Sequence, residues 1–274
     1  MAHSSYLLGY KNNCVVIDPR RDIEVYLNEA KGNNLKITHI FLTHLHADFI
    51  SGHLDLKDKT RAEIYGPAQA RFKFSHKGLR EGDRVEVEDF SFKVIETPGH
   101  SPEMINYIVY DDSVNEDVPF GVFTGDTIFI GDVGRPDIFK ERFEELSEKL
   151  FESIRKKLLN LPDYCRVFPA HGPGSFCGKT IGGANTGTIG YEKLNNDYLF
   201  IENLEDFKRE IKKDMPPVPG HFKRLSKINR DGPSLIKNLK HLIPLNTESM
   251  KQIIKEGIGR LLIRETMTVL QPSI

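Results

Sequence analysis

Apolar and polar positions alternate in short blocks through the first half of the chain. Runs at Tyr6 to Gly9, Cys14 to Ile17, Ile37 to Thr43, Val85 to Glu88, Phe90 to Ile95, Ile105 to Tyr110 and Phe120 to Thr124 are bounded by turn residues, a pattern that predicts strands. After Pro19 the period changes: Ile23, Tyr26, Leu27 and Ala30 share one helical face, and Gly32 marks its stop. A longer stripe of Phe143, Leu146, Leu150, Ile154 and Leu158, between Glu141 and Pro162, predicts a helix lying flat on a sheet. One more strand is expected at Arg166 to Pro169. Strands and helices in this order imply two sheets covered by helices, a layered α/β sandwich.

The charge balance adds a boundary. The chain of 274 residues carries 38 Lys and Arg against 39 Asp and Glu, so no global basic field invites nucleic acid. From Leu204 onward, however, 14 basic residues face 8 acidic ones, and the segment PPVPGHF reads as a Pro-rich connector. The expected division is therefore a domain at 1–203, a basic connector at 204–235 and a terminal piece at 236–274. The best helix of that last piece is Ser249 to Glu256, and it is too short to hold its own core.

Three cysteines, Cys14, Cys165 and Cys177, form no CxxC pair, which points to a reducing compartment. MAHSSYLLGY lacks the basic and apolar regions of a signal peptide, and no run reaches membrane-spanning length. The expectation is a cytoplasmic protein with no membrane and no nucleic-acid partner. Gly182 and Gly183 suggest no phosphate loop, because no GxxxxGK[ST] is present.

Histidine placement carries the chemistry. His39, His44, His46 and His53 crowd into fifteen positions of ITHIFLTHLHADFISGH, so that His44, His46 and Asp48 leave the end of one expected strand. His100 in TPGH, Asp126 in TGDT and His171 in PAHG each follow another strand-like run. Imidazoles and carboxylates at four strand ends are how an open metal site is built. His3, His39, His53, His76, His221 and His241 are expected to be structural or surface residues.

THLHADF, TPGH, TGDTIFIGDVGRPD and PAHG, in this order, resemble the metallo-β-lactamase superfamily and, more narrowly, its persulfide dioxygenase branch. The likeness covers residues 5 to 235 and includes TIGYEKLNN and PPVPGHFKRLSKINRDGP, similar to bacterial dioxygenase–rhodanese fusions. It implies a four-layer αββα sandwich with a short C-terminal extension. The superfamily motif reads HxHxDH, and Phe49 stands at its last position, where a ring without a lone pair leaves a second metal only Asp48 and His171. The resemblance then implies one metal held by His44, His100 and Asp126, with His46, Asp48 and His171 orienting ligands or moving protons.

Two histidines and one carboxylate match the facial triad of non-haem Fe(II) oxygenases, so Fe(II), one per chain, is the implied cofactor, with Zn2+ as the alternative. The implied reaction turns a low-molecular-weight thiol persulfide, O2 and water into sulfite and thiol. Arg135 matches a family position that helps hold a substrate carboxylate, and Cys177 in HGPGSFCGK is a candidate sulfur relay. The competing reaction is thioester hydrolysis of the glyoxalase II kind, which uses two metals. The tail SMKQIIKEGIGRLLIRET resembles the opening of a rhodanese fold, with Leu261 to Ile263 as its strand, and no Cys follows Cys177. Relatives usually carry another strand before SYLLG, and a dimer or tetramer is left open.

Overall fold

Apolar strands this short cannot bury themselves singly, and in the computed structural model of the chain they pair into two sheets. The structure describes residues 2–239 together with Glu248 and Gln252. In the first sheet β1 (Tyr6–Tyr10) and β2 (Asn13–Ile17) form a hairpin, and α1 (Glu24–Gly32) leads to β3 (Lys36–Phe41). Next, α2 (His53–Thr60) leads to β4 (Glu63–Pro67), and β5 (Lys77–Leu79) ends the five-stranded order β1-β2-β3-β4-β5, parallel from β2 on.

The second sheet opens with β6 (Arg84–Val87), β7 (Phe90–Glu96), β8 (Ile105–Asp111) and β9 (Pro119–Gly125), each antiparallel to the next. A small ribbon of β10 (Ile128–Phe129) and β11 (Asp132–Val133) precedes α3 (Phe143–Lys156). Strand β12 (Arg166–Pro169) then runs parallel to β9, and β13 (Gly187–Thr188) takes the edge. Four helices follow: α4 (Ile189–Asn195), α5 (Asp197–Phe200), α6 (Leu204–Lys212) and α7 (Phe222–Asp231).

Alternation along single strands divides the apolar residues among three layers. In β2, Val15 and Ile17 face the second sheet with Phe41, Phe92, Tyr107 and Phe123, whereas Cys14 and Val16 face outward onto Tyr26 and Ala30 of α1 and Leu56 of α2. Ile108 and Val122 on the far side of the second sheet meet Leu150 and Ile154 of α3. The result is a four-layer αββα sandwich, the architecture that the motif resemblance implies.

Residues 204–235 depart from the expected connector. Phe207 and Ile211 of α6 are buried in the same core as α3, Phe222 of α7 is buried near Cys177, and residues Met1–Leu235 form one compact unit. The apolar residues of this segment recur at helical spacing, and that burial outweighs the Pro-rich stretch between α6 and α7. Residues Ile236–Ile274 form a second unit, and His241, the helix expected at Ser249 to Glu256 and the strand at Leu261 to Ile263 lie outside the described residues. No helix among the described residues is long and apolar enough to cross a membrane.

Candidate metal centre

The chain leaves β3, β7, β9 and β12 at one rim of the sandwich and carries His44, His100, Asp126 and His171 there. Strand ends converge because the strands themselves are fixed by their ladders. Two glycines allow the approach. Gly125, just before Asp126, has φ +50°, and a Cβ on Gly134 would fall 1.8 Å from the Asp126 carbonyl oxygen.

Asp126 Oδ2 lies 3.3 Å from His100 Nε2 and 3.7 Å from His44 Nε2, with all three side chains at most 2% exposed. Neither Asp126 Oδ2 nor His44 Nε2 has a hydrogen-bond partner in the protein. Buried polar atoms left so are costly unless something binds them. His44, His100 and Asp126 thus fit a divalent ion, iron or zinc.

The tautomer of His44 follows from its neighbours. Thr43 gives its hydroxyl proton to Asp18 Oδ2 at 2.7 Å, so the same oxygen can only accept from His44 Nδ1–H, 2.9 Å away. The Nε2 lone pair is thereby left facing Asp126. Asp18 Oδ1 also accepts the Thr43 backbone N–H at 2.8 Å and lies 3.1 Å from His46 Nε2. His46 Nε2 thus lies beside Asp18 without a hydrogen bond to it, and His46 falls outside the group of His44, His100 and Asp126.

His171 spans two carboxylates. Its Nδ1–H donates to Asp126 Oδ1 at 2.7 Å and its Nε2–H to Asp48 Oδ2 at 2.9 Å. Burial opposes charge on this ring, but Asp126, Cys177 and Asp48 outweigh it and hold its pKa well above the usual histidine range. The converse holds for Asp126, where His171 and His100 overcome burial and keep the carboxyl ionised.

Cys177 joins Asp48 and His171 in a second buried group whose ligand atoms all lie within 4.8 Å of one another. Burial pushes its thiol up to about 12. The loop that carries it is held by Arg135, whose backbone N–H donates to the Cys177 carbonyl at 3.0 Å. The Arg135 guanidinium, expected to meet a substrate carboxylate, is itself 0% exposed. It donates twice to Asp137 at 2.7 Å and once each to the carbonyls of Phe176 and Pro216, which makes it a loop clasp.

Two expectations change beside the site. His3, expected to be a structural or surface residue with no place at the site, donates from Nε2 to the Asp18 carbonyl at 2.8 Å, and its ring packs 4.1 Å from that of Phe49. Burial, with His171 and His46 nearby, lowers its pKa to about 3. Phe49 fills the last position of the HxHxDH motif, 6% exposed, with its ring 4.6 Å from His46. Asn229 of α7 is the other addition: Nδ2 donates to the carbonyls of His46 and Phe49, both at 2.8 Å, and Oδ1 accepts the Ser51 N–H. Asp18, which the sequence reading missed, follows β2 as the other site residues follow their strands, and that strand-end position is the signal that could have found it; nothing local in the sequence marked His3 or Asn229.

A cleft of about 1060 Å³ opens nearby, with Leu45, Ile138, Val218 and Phe222 in its walls. Ile138, Val218 and Phe222 also pack with Cys177. Its rim is cationic: Arg71, Arg80, Lys140, Arg142, Lys223 and Arg230 line it.

A buried cluster of histidines and carboxylates on the rim of an αββα sandwich is a metallo-hydrolase or metallo-oxygenase site in form. Residues 1–171 match the metallo-beta-lactamase superfamily, and the chain belongs to it as a metal-dependent enzyme. It is 28% identical over 211 residues to hydroxyacylglutathione hydrolase GloC of Haemophilus influenzae, covering 69% of this chain and 88% of that protein. Among solved structures, a metallo-beta-lactamase from Staphylococcus aureus superposes with a TM-score of 0.81 at 36% identity, over 90% of this chain and 74% of that one. ETHE1 from Myxococcus xanthus superposes with a TM-score of 0.72 at 27% identity, over 84% of this chain and 93% of that one.

Proposed function

We propose that the protein is a persulfide dioxygenase, converting R-S-SH, O2 and H2O to R-SH and sulfite at one Fe(II) held by His44, His100 and Asp126. The observation that carries this reading is the pairing of Phe49 with a His46 turned onto Asp18. Together they leave two histidines and one carboxylate where a hydrolase of this fold needs more ligands. The motif resemblance to the persulfide dioxygenases and the likeness to ETHE1 support it. Iron would supply the redox chemistry joining O2 to the terminal sulfur, which Zn2+ lacks.

The protein's own groups supply the rest. His171 donates to Asp126 and holds that carboxylate's orientation while leaving Oδ2 free. His46, whose pKa is lowered by burial but raised overall by the Asp18 carboxylate, and Asp48 are the groups placed to give or take protons from persulfide and thiol. The cationic rim of the cleft favours an anionic carrier thiol, such as glutathione or another acidic one, and steers it by charge.

The second reading is thioester hydrolysis with Zn2+, favoured by the likeness to hydroxyacylglutathione hydrolase GloC. Metal analysis after anaerobic purification, with O2 uptake and sulfite measured on glutathione persulfide, separates the two. About one iron per chain with persulfide-dependent O2 uptake and sulfite supports the dioxygenase. About two zinc ions, no O2 uptake and cleavage of a glutathione thioester replace it with the hydrolase.

A further inference from the structure

The metal centre draws its ligands from both sheets. His44 leaves β3 of the first, while His100 and Asp126 leave β7 and β9 of the second. Each side has a group that orients a ligand, Asp18 acting through Thr43 on His44 and His171 on Asp126. His3 joins those two groups to each other.

We propose, taking His44, His100 and Asp126 as the metal ligands whatever the reaction they serve, that His3 is a positioning residue: it braces Asp18 to His171 and so sets the distance between His44 and Asp126. The backbone and the ring of His3 hold different partners. Residues 2–4 pair antiparallel with 170–172, the Ser4 N–H donating to the Ala170 carbonyl at 2.7 Å and the Gly172 N–H to the Ala2 carbonyl at 2.8 Å, with His3 opposite His171. That pairing fixes the backbone of His171, whose ring holds Asp126. The His3 ring donates from Nε2 to the Asp18 carbonyl at 2.8 Å. Asp18 has φ +48°, a left-handed conformation that a residue with a Cβ keeps only where its surroundings hold it. Its N–H is tied to the Phe41 carbonyl at 2.8 Å, and His3 ties its own carbonyl. Relaxation of Asp18 to ordinary backbone would swing its carboxylate off Thr43, and His44 would lose the partner that aims it.

Space filling does not account for a histidine at this place. Its Nδ1 is buried without a hydrogen-bond partner among the described residues, a cost that a phenyl ring packed on Phe49 would avoid. What histidine adds is the Nε2 donor. Burial, with His171 and His46 nearby, keeps the ring neutral, so Nε2 carries its single N–H proton and gives it to Asp18.

Two variants separate the donor from the ring. His3→Gln keeps an N–H donor of similar reach and loses the ring, whereas His3→Phe keeps the ring and loses the donor. Metal-free parent and variants are titrated with Co2+, read by affinity and by the visible d–d bands that report ligand geometry, with urea unfolding to show that each chain is folded. The expected result is a Co2+ affinity about tenfold lower in His3→Phe, with altered bands, and parent-like affinity and bands in His3→Gln. Parent-like binding and bands in His3→Phe, or a loss in His3→Gln equal to that in His3→Phe, overturns the proposal and leaves His3 a packing residue. Should His3→Phe fail to fold, His3→Asn, whose shorter amide does not reach the Asp18 carbonyl, takes its place: Co2+ affinity equal to that of His3→Gln then overturns the brace. A parent that takes up no Co2+ removes the metal centre and the brace with it, whereas absence of persulfide-dependent O2 uptake removes only the dioxygenase.

Discussion

Asp18 precedes Thr43 by 25 residues, yet its carboxylate takes both the Thr43 backbone N–H and the Thr43 hydroxyl, at 2.8 and 2.7 Å. That pair orients His44 from behind. Asp18→Asn offers the hydroxyl a weaker acceptor and removes the charge facing His46. Its iron affinity is expected to fall about 10–100-fold, the usual cost of losing an outer-shell partner. Competition with a chromogenic chelator measures this, and an unchanged affinity would show that the Asp18–Thr43 contact does not govern His44.

Asn229→Ala strips three hydrogen bonds from the loop that carries His46 and Phe49. Each buried backbone group left unpaired costs roughly 1–3 kcal/mol, less where water enters. Urea unfolding should show a loss of roughly 2–4 kcal/mol, with lower iron content. A variant as stable as the parent would mean that α7 only rests on the loop.

Phe49→His restores an imidazole at the last motif position, next to Asp48 and His171. Zinc loaded into this variant should reach about two ions per chain with tighter binding of the second. Isothermal titration of parent and variant side by side gives the comparison; equal second-site affinity would count against Phe49 as the limiting residue.

The three cysteines are buried, and burial pushes Cys14 to about 11 and Cys165 and Cys177 to about 12. Raising the pH from 7 to 9 increases thiolate at an ordinary cysteine about 25-fold. In the native, metal-free protein, disulfide-reagent labelling should stay slow across that range and become fast only in denaturant. Rapid labelling of one thiol at pH 8 would locate an opening not evident in the fold.

His53 is 1% exposed beside the Phe74 ring, and burial followed by the charge of Arg21 lowers its pKa to about 3. The folded state therefore prefers the neutral ring. The stability cost is absent above the unfolded value near 6.5 and grows as pH falls from there toward 3, at about 1.4 kcal/mol per unit. His53→Phe keeps an aromatic ring and drops the proton, so its urea stability at pH 5 should exceed that of the parent by about 2 kcal/mol more than at pH 7.5. A parallel shift at both pH values would remove His53 from the acid response.

Much of this was legible in advance because it depends on local period and on strand ends. The α3 stripe and the apolar run of β2 follow from residues whose spacing carries their geometry, and the grouping of His44, His100 and Asp126 is the one that the motif resemblance implied. What escaped depends on chain closure. His3 reaches the site from the far end of the sequence, where its backbone bridges His171, and Asn229 arrives from a helix that the Pro-rich stretch disguised as a connector. Arg135 was visible as chemistry but not as a clasp, since its partners at Asp137, Phe176 and Pro216 are set by loops.

His44, His100 and Asp126 are each at most 2% exposed, so the ligands of an ion seated among them are shielded from solvent even though substrate can approach its open side. Releasing the ion needs local opening of those ligands, which slows exchange. Metal identity in a given sample therefore becomes a record of history: the ion present as the rim closed is the one retained. Cells or growth media that differ in available iron and zinc at that moment would yield chemically distinct populations of one polypeptide.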